Sequence, residues 1–534
     1  MIEKKKIAML SSLCCFTLVS SFVYALPQEV TVMHGNVGVS TENANMVITA
    51  SDGAVLHHAS FNIAENESVQ FVQPSTSSVV LNRVVGNDPS SILGKMTSNG
   101  HVFLVNPNGV YFGPDAKVDV GSLIVSTMDI ANQDFVDGRY QFTANGSQGA
   151  INHFGAVQAS DGGVVAFISP FINNQGSITV PDGKVEFVSG EKVTVDFSGD
   201  GMISFAVEGQ LAQASIQQGG QLSAYAVKMT ASAAEEVLSR VVNMTGVNEG
   251  TQMISYNGEI HITNDSMITA NQIDIAADSG SKVSLDGCFE LSDSGSALTV
   301  SGATVAVNHF DVISDQGSGT IELSAIGLNG DITFAEGTRL STPANYTLTF
   351  ATQNGGAVHL SDRVEVSPLG KSLTFNAPVV LDGDQIFIHT NASGNKISFN
   401  DKVIGSAAES NLFINAGRGS VSFAKTVGEK VAIGKLDLKA GSLSLPEKVV
   451  TRGQDMTIAA CTLFNQDTVL DSTGQGKYTG GNVSFVGKRS SIDGDFRLLV
   501  DAGKGETQFE GIVGGKSSMQ RFHLKSAKTT LKNT

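Results

Sequence analysis

Gly155-Ala-Val-Gln-Ala-Ser-Asp-Gly162 aligns with Gly176-Ser-Ile-Thr-Val-Pro-Asp-Gly183 at a spacing of 21 residues. Each unit runs into an apolar stretch, Val164 to Ile168 and then Val185 to Val188. Ala214 to Gly220, followed by Leu222 to Met229, echoes the unit. A period near 20 with one strand–turn–strand set per repeat is the signature of a parallel β-helix. No single unit can bury its apolar face, so stacked neighbours must supply the core. With 534 residues the chain is also too long for one compact core. It holds 58 glycines, no tryptophan and only 16% charged residues, yet is 41% hydrophobic. That combination fits an all-β chain with frequent turns rather than a disordered one.

The rest of the chain is read with the same rules. Residues 27–60 alternate apolar and polar between glycine-marked turns, which predicts short strands. Val79 to Val85 is nearly continuous in apolar residues, as in a strand buried on both faces. Asp88-Pro-Ser-Ser-Ile-Leu-Gly94 predicts a short helical turn, proline being well placed at a first helical position. Between Val102 and Pro114, two β-rich runs flank Asn106-Pro107-Asn108-Gly109. Pro107 presets φ for a turn and Asn108-Gly109 tolerates φ > 0, so strand, tight turn, strand is expected. Thr230 to Val242, with Ala231, Ala233, Ala234, Glu235, Glu236 and Leu238, predicts a short helix leaving the solenoid. Beyond about residue 250 the repeat loosens, but Asn411 to Phe423 aligns without gaps with Arg497 to Phe509 at an offset of 86. The expectation is an all-β, right-handed parallel β-helix with a short helical excursion and β-hairpin extensions. Its expected parts are a first β-helix domain over 26–245, irregular solenoid repeats over 246–520 and a basic flexible tail over 521–534.

The N-terminus reads as a secretory signal. Lys4, Lys5 and Lys6 precede a mostly apolar run from Ile7 to Val23, and Val23-Tyr24-Ala25 sets cleavage after Ala25. An uncleaved anchor is the competing reading, but the run is short of the ~20 apolar residues that span a bilayer. Removing residues 1–25 leaves 31 basic against 50 acidic residues, a net charge of −19. Such an acidic surface argues against nucleic acid or an anionic membrane held by bulk electrostatics. Of the cysteines only Cys288 and Cys461 remain, 173 positions apart. They read as two buried thiols rather than a disulfide framework.

A β-helix can be a polysaccharide-cleaving enzyme, so paired carboxylates matter. Asp196 with Asp200 and Asp382 with Asp384 are the candidates, and their glycine-rich contexts read as exposed turns. His57-His58 lie on one strand and point to opposite faces, so they cannot easily chelate one ion and read as structural. No calcium-binding nonapeptide repeat, phosphate-loop lysine context or nucleophile set is found. The expectation is no enzyme, no catalytic residue, no metal and no cofactor.

Several segments together carry a family resemblance. They are Phe61-Asn-Ile63, Val69-Gln-Phe71, Gln73-Pro-Ser75, Leu81-Asn-Arg-Val84, Ile92-Leu-Gly94, Asn99-Gly100, Val102-Phe-Leu104, Asn106-Pro-Asn-Gly109 and Ser126-Thr-Met-Asp-Ile130. In this order they resemble the secretion domain of two-partner-secretion exoproteins, the filamentous haemagglutinin N-terminal domain. The pattern is most like that of the high-molecular-weight adhesins, and it covers roughly residues 27–245. The Asn-Pro-Asn-Leu motif of the haemagglutinin subgroup is absent, with Gln73-Pro74-Ser75 in that region. His57-His58-Ala59 replaces a tryptophan common before the Phe-Asn-Ile segment. The resemblance implies that Asn106, Pro107, Asn108 and Gly109 belong to a region needed for recognition and export by a dedicated Omp85-type outer-membrane transporter with POTRA domains. It implies an adhesin-like exoprotein, secreted or surface-exposed on a didermic bacterium by way of Sec and the periplasm. A host-cell or surface carbohydrate or protein receptor is then a second partner. A β-helix carbohydrate-active enzyme and a haemolysin-type exoprotein stay open as alternatives.

Overall fold

The computed structural model describes residues 25–196, 204–209, 211, 213–232, 259–263, 266–292, 294–314, 317–368, 371–390, 394–406, 409–487, 489–515 and 517–532. The chain winds into an all-β solenoid of about 18 turns. Inward positions repeat from coil to coil because parallel neighbours pair in register. One such column runs Val110, Ile151, Ile172, Ile216, Ile260, Val283, Val305, Ile332, Val358 and Val379. All are at most 1% exposed. Aromatic rings make a second ladder where coils repeat at nearly equal lengths. Phe350, Phe375, Phe399 and Phe423 stack with centroids 5.2, 4.9 and 4.7 Å apart. These spacings follow the ~4.8 Å separation of hydrogen-bonded strands.

The 21-residue unit appears as expected. Ala156, Val157 and Gln158 pair with Ser177, Ile178 and Thr179, and Val164 to Ile168 pair with Lys184 to Val188. Gly155, Gly176 and Gly220 stack at one corner. A Cβ on Gly176 would sit 2.3 Å from the Gly155 carbonyl oxygen, and one on Gly220 would sit 1.9 Å from that of Gly176. Glycine is required there because neighbouring backbones touch.

The N-terminal end carries the hairpin extensions. Val37–Glu42 pairs antiparallel with Asn45–Ala50, and Thr31–His34 pairs antiparallel with Ala54–His58. Further on, a separate antiparallel sheet of Tyr140–Thr143, Lys192–Asp196 and Ser204–Glu208 lies outside the solenoid. With the helix Asn132–Val136 it forms an outer cover over the coils beneath. This creates a second apolar cluster, with Val55, Leu81, Phe103, Ile124, Ala166, Phe135 and Phe142 buried between solenoid and cover. It explains why the strand Val79–Val84 is apolar on both faces: from Val80 onward each residue is buried.

Four expectations are corrected. Asp88 to Gly94 is not helical. Ser90–Ile92 is a strand paired in parallel with Val110–Phe112, because Ser90 and Ile92 turn inward and the next coil supplies hydrogen-bond partners. The strand Gln221–Ala231 carries through Thr230 and Ala231, so the predicted helix does not begin there, and a short helix sits at Asn132–Val136, where none was predicted. Residues 233–242 and the 245/246 boundary lie outside the described residues, as do residues 1–24. Cys288 and Cys461 are free thiols as read, but half-buried, since both fall on outward positions of alternating strands. The basic C-terminal segment is no loose tail: Arg521–Lys525 and Lys528–Leu531 stack as one more coil. Lys525 pairs with Asp501 and Lys532 with Glu510, each at 2.8 Å, so acidic residues one coil earlier hold its charge.

Candidate functional site

Asn106-Pro107-Asn108-Gly109 is the corner between His101–Val105 and Val110–Phe112. Gly109 donates its N–H to the Asn106 carbonyl at 3.1 Å, closing a four-residue turn, and takes φ +121°. Asn106 is fully buried. Its Nδ2 donates to the Asp88 carbonyl and to Ser90 Oγ, both at 3.0 Å, while its Oδ1 accepts the Asn108 N–H at 3.0 Å. Asn108 Nδ2 reaches the Gly86 carbonyl at 2.9 Å. On the other side, Ser147 Oγ donates to the Pro107 carbonyl at 3.1 Å. The corner therefore clasps the segment 86–90 below it and the segment 147–149 above it. An amide is suited to this work because it donates and accepts at once.

The other shared segments behave alike. Asn99 accepts the Gln73 N–H on Oδ1 and returns Nδ2 to the Gln73 carbonyl, each at 2.8 Å. Asn62 Oδ1 accepts the Ser91 N–H at 2.7 Å. Arg83 is 9% exposed and reaches across to the cover. It binds the Asp129 carboxylate and the Ile130 carbonyl, and its Nε donates to Asn132 Oδ1 at 3.2 Å. Segments scattered along the sequence thus meet as clasps between adjacent coils. The reach of Arg83 and the Gln73–Asn99 exchange were missed in the sequence. Their only signal there was a polar residue inside an otherwise apolar strand or beside a turn glycine.

The two adjacent histidines divide as expected. His58 points into the core against Phe61, with ring centroids 5.2 Å apart, and Nε2 lies 3.0 Å from Asn82 Oδ1. Burial pushes its pKa down to about 4, against the Asn82 hydrogen bond, which raises it. His57 is on the other face, with Nε2 3.0 Å from Asn132 Nδ2. Three coils later His153 Nδ1 lies 2.5 Å from Asn174 Oδ1, Asn174 Nδ2 donates to Gln218 Oε1 at 2.8 Å, and Gln218 Nε2 donates to the Gly220 carbonyl at 2.8 Å. This internal polar ladder also holds a neutral imidazole, its pKa down to about 4 through burial.

Of the carboxylate candidates only Asp382 and Asp384 are described with their side chains. Asp382 and Asp384 are exposed at a corner, with Asp382 Oδ2 taken by His359 Nδ1 at 2.6 Å. Asp200 and the Asp196 side chain lie outside the described residues. Among the described residues no group of three His, Cys, Asp or Glu is placed to hold a metal ion. At Ala25 the backbone N–H donates to Glu67 Oε1 at 2.8 Å, and Leu26 is already buried in the core.

Comparison with known proteins bears on the same region. Residues 24–277 match the family described as the TPS secretion domain. Heme/hemopexin-binding protein of one Haemophilus influenzae strain is 31% identical over 282 residues, half of this chain and 31% of that protein. A second Haemophilus influenzae protein of that name is 27% identical over 294 residues, with 49% and 31% covered. The chain thus spans about a third of the length of these relatives. The HMW1 secretion domain from Haemophilus influenzae superposes with a TM-score of 0.36 at 18% identity, covering 95% of this chain and all of that one. The filamentous hemagglutinin secretion domain gives 0.34 at 16%, covering 62% and 99%.

Proposed function

We propose that the chain, whose residues 24–277 match the TPS secretion domain family, is a two-partner-secretion exoprotein, and that its first coils are read by a dedicated outer-membrane transporter before they fold. Exoproteins of this family cross the outer membrane to the cell surface, and the family is not known for catalysis. The route proposed is a Sec signal over 1–25 cleaved after Ala25, then passage of residues 26–245 unfolded through an Omp85-type barrel with POTRA domains. The single observation behind this reading is the burial of the Asn106 side chain. Asn106 has no exposed surface once folded, so a partner that depends on it meets it before the coils close. Outside, coil stacking captures the chain, each coil burying apolar surface at ~25 cal/mol per Å2. An adhesive role at the surface, with solenoid repeats over 246–520 as the displayed part, completes the proposal. The heme and hemopexin of the relatives' names are not carried over, since a third of their length is matched.

Surface delivery in cells that hold the partner transporter tests this. Deleting 26–245 is expected to abolish delivery. Asn106→Ala with Asn108→Ala is expected to reduce it severely and to cost the folded chain about 2 kcal/mol through unsatisfied buried groups. Undiminished delivery of the deletion protein, scored by antibody on intact cells, would contradict the reading. Unchanged delivery of the double variant would instead confine the turn to a structural role.

A further inference from the structure

The net charge hides a strong asymmetry. Residues 26–395 carry 37 acidic against 12 basic residues, whereas 396–534 carry 13 against 19. The first part has a net charge of −25 and the last a net charge of +6. An acidic surface repels polyanions only where it is acidic, and the solenoid keeps its far end basic.

A groove of about 410 Å3 opens on the outward face of Ile386–His389, Leu412–Asn415 and Leu436–Ser444 where the basic part begins. Register sets its two walls. Phe387, Phe413 and Asp437 form one column, and His389, Asn415 and Lys439 form the other. Phe387 and Phe413 are half-buried and stacked, centroids 5.0 Å apart and rings 19° from parallel. The ladder from Phe350 to Phe423 faces the core, whereas these two rings stand on the outside as a ridge of apolar edges. Lys435 Nζ lies 5.7 Å from the Phe413 centroid and 3.6 Å from Asp437 Oδ2, so that acid is matched. His389 is matched with Glu365 at 3.2 Å. Lys439 is exposed and, among the described residues, has no ion-pair partner. Asn415 uses Oδ1 on the Gly417 N–H at 3.1 Å, leaving its NH2 group to donate.

We propose that this groove binds a saccharide bearing carboxylates. A pyranose is apolar on its C–H face and polar at its rim. It can lie along the phenyl ridge, give its hydroxyls to Asn415 and put a uronate-type carboxylate on Lys439. A peptide adding as a strand is excluded, because these strands are already paired on both sides. Nucleic acid fits less well: one face of each ring is taken by the other, Lys435 lies over Phe413, and the groove offers a single unmatched lysine to a phosphate backbone. The inference deepens the adhesive reading by giving the receptor a chemistry.

The full mature chain, purified, is titrated with a hyaluronan decasaccharide, its carboxyl-reduced neutral form, and polyglutamate of equal charge. The native saccharide is expected to bind, and carboxyl reduction, Lys439→Glu and Phe413→Thr are each expected to weaken it about tenfold. Lys504→Glu, on an exposed loop of the same basic part, should change affinity less than twofold, within about 0.4 kcal/mol. Circular dichroism melts check that the variants fold, and the surface change Lys439→Glu stands alone if Phe413→Thr does not. Absence of binding overturns the proposal. So does equal binding of polyglutamate, or a loss with Lys504→Glu as large as with Lys439→Glu, either of which reduces the effect to bulk charge. No transporter is present, so failure here leaves the export reading intact.

Discussion

Acidification from pH 7 to pH 4 is expected to destabilise the N-terminal coils by about 3 kcal/mol for each of two buried histidines. His58 and His153 both have folded pKa values near 4, against an ordinary value of 6.5. Desolvation is the main cause in both, since each ring is fully buried. A depressed folded pKa means that the unfolded chain takes up the proton first. Their full contribution is present above pH 6.5 and is lost progressively as pH falls toward 4. One group opposes them. Glu186 is 5% exposed, and burial raises its pKa to about 7, with Lys228 and Lys184 pulling the other way and Asp274 adding to the rise. Its raised folded pKa makes it favourable below pH 4.5 and progressively unfavourable as pH climbs to 7. Urea midpoints followed by circular dichroism between pH 4 and 7 separate the contributions. Relative to the native protein, His153→Gln should flatten the acid slope and Glu186→Gln should steepen it. An identical slope in all three proteins would refute the assignment.

Arg83→Ala is expected to cost about 2–3 kcal/mol and to loosen the outer cover. The guanidinium serves three acceptors from Asp129, Ile130 and Asn132, and its removal takes a donor from the Ile130 carbonyl and from Asn132 Oδ1. The figure sits below that for a wholly buried pair because the Asp129 side chain is 45% exposed. Arg83→Lys should restore only part of the loss, since one ammonium cannot match a planar fork. Hydrogen exchange gives the local readout: amides of the Tyr140–Thr143 strand should lose protection before those of Val110–Phe112. Unchanged protection in the cover would show that apolar packing alone holds it.

Much of the solenoid was legible because stacking leaves a periodic trace. The paired glycines at 155 and 176 and the apolar runs that follow them are imposed by the register of one coil on the next. The order of the motif segments pointed to the secretion domain before any coil was drawn. The clasps between those segments were not legible, because Arg83 and Asp129 lie 46 positions apart and nothing in their spacing marks a contact. The turn at Asp88 was misread for a related reason. Proline and serine fit a first helical turn equally well, and the parallel partner Val110–Phe112 decided the matter from another coil. Net charge misled at larger scale: the sum of −17 conceals a basic end. A running sum along the chain would have found it.

The outer cover has a mechanical meaning. Coils beyond it pair strand by strand with the adjacent coils, with isolated longer reaches such as Arg452 to the Ser406 carbonyl, so a pulled chain would release them nearly one after another, each giving up about one coil's length of slack. The part beneath the cover is cross-tied: Phe103 meets Phe135, Tyr140 and Phe142 at 5.1, 5.2 and 6.4 Å, and Arg83 adds its polar knot. That end would yield in one larger rupture. Resistance to force is thus concentrated in the covered coils and falls away along the rest of the solenoid.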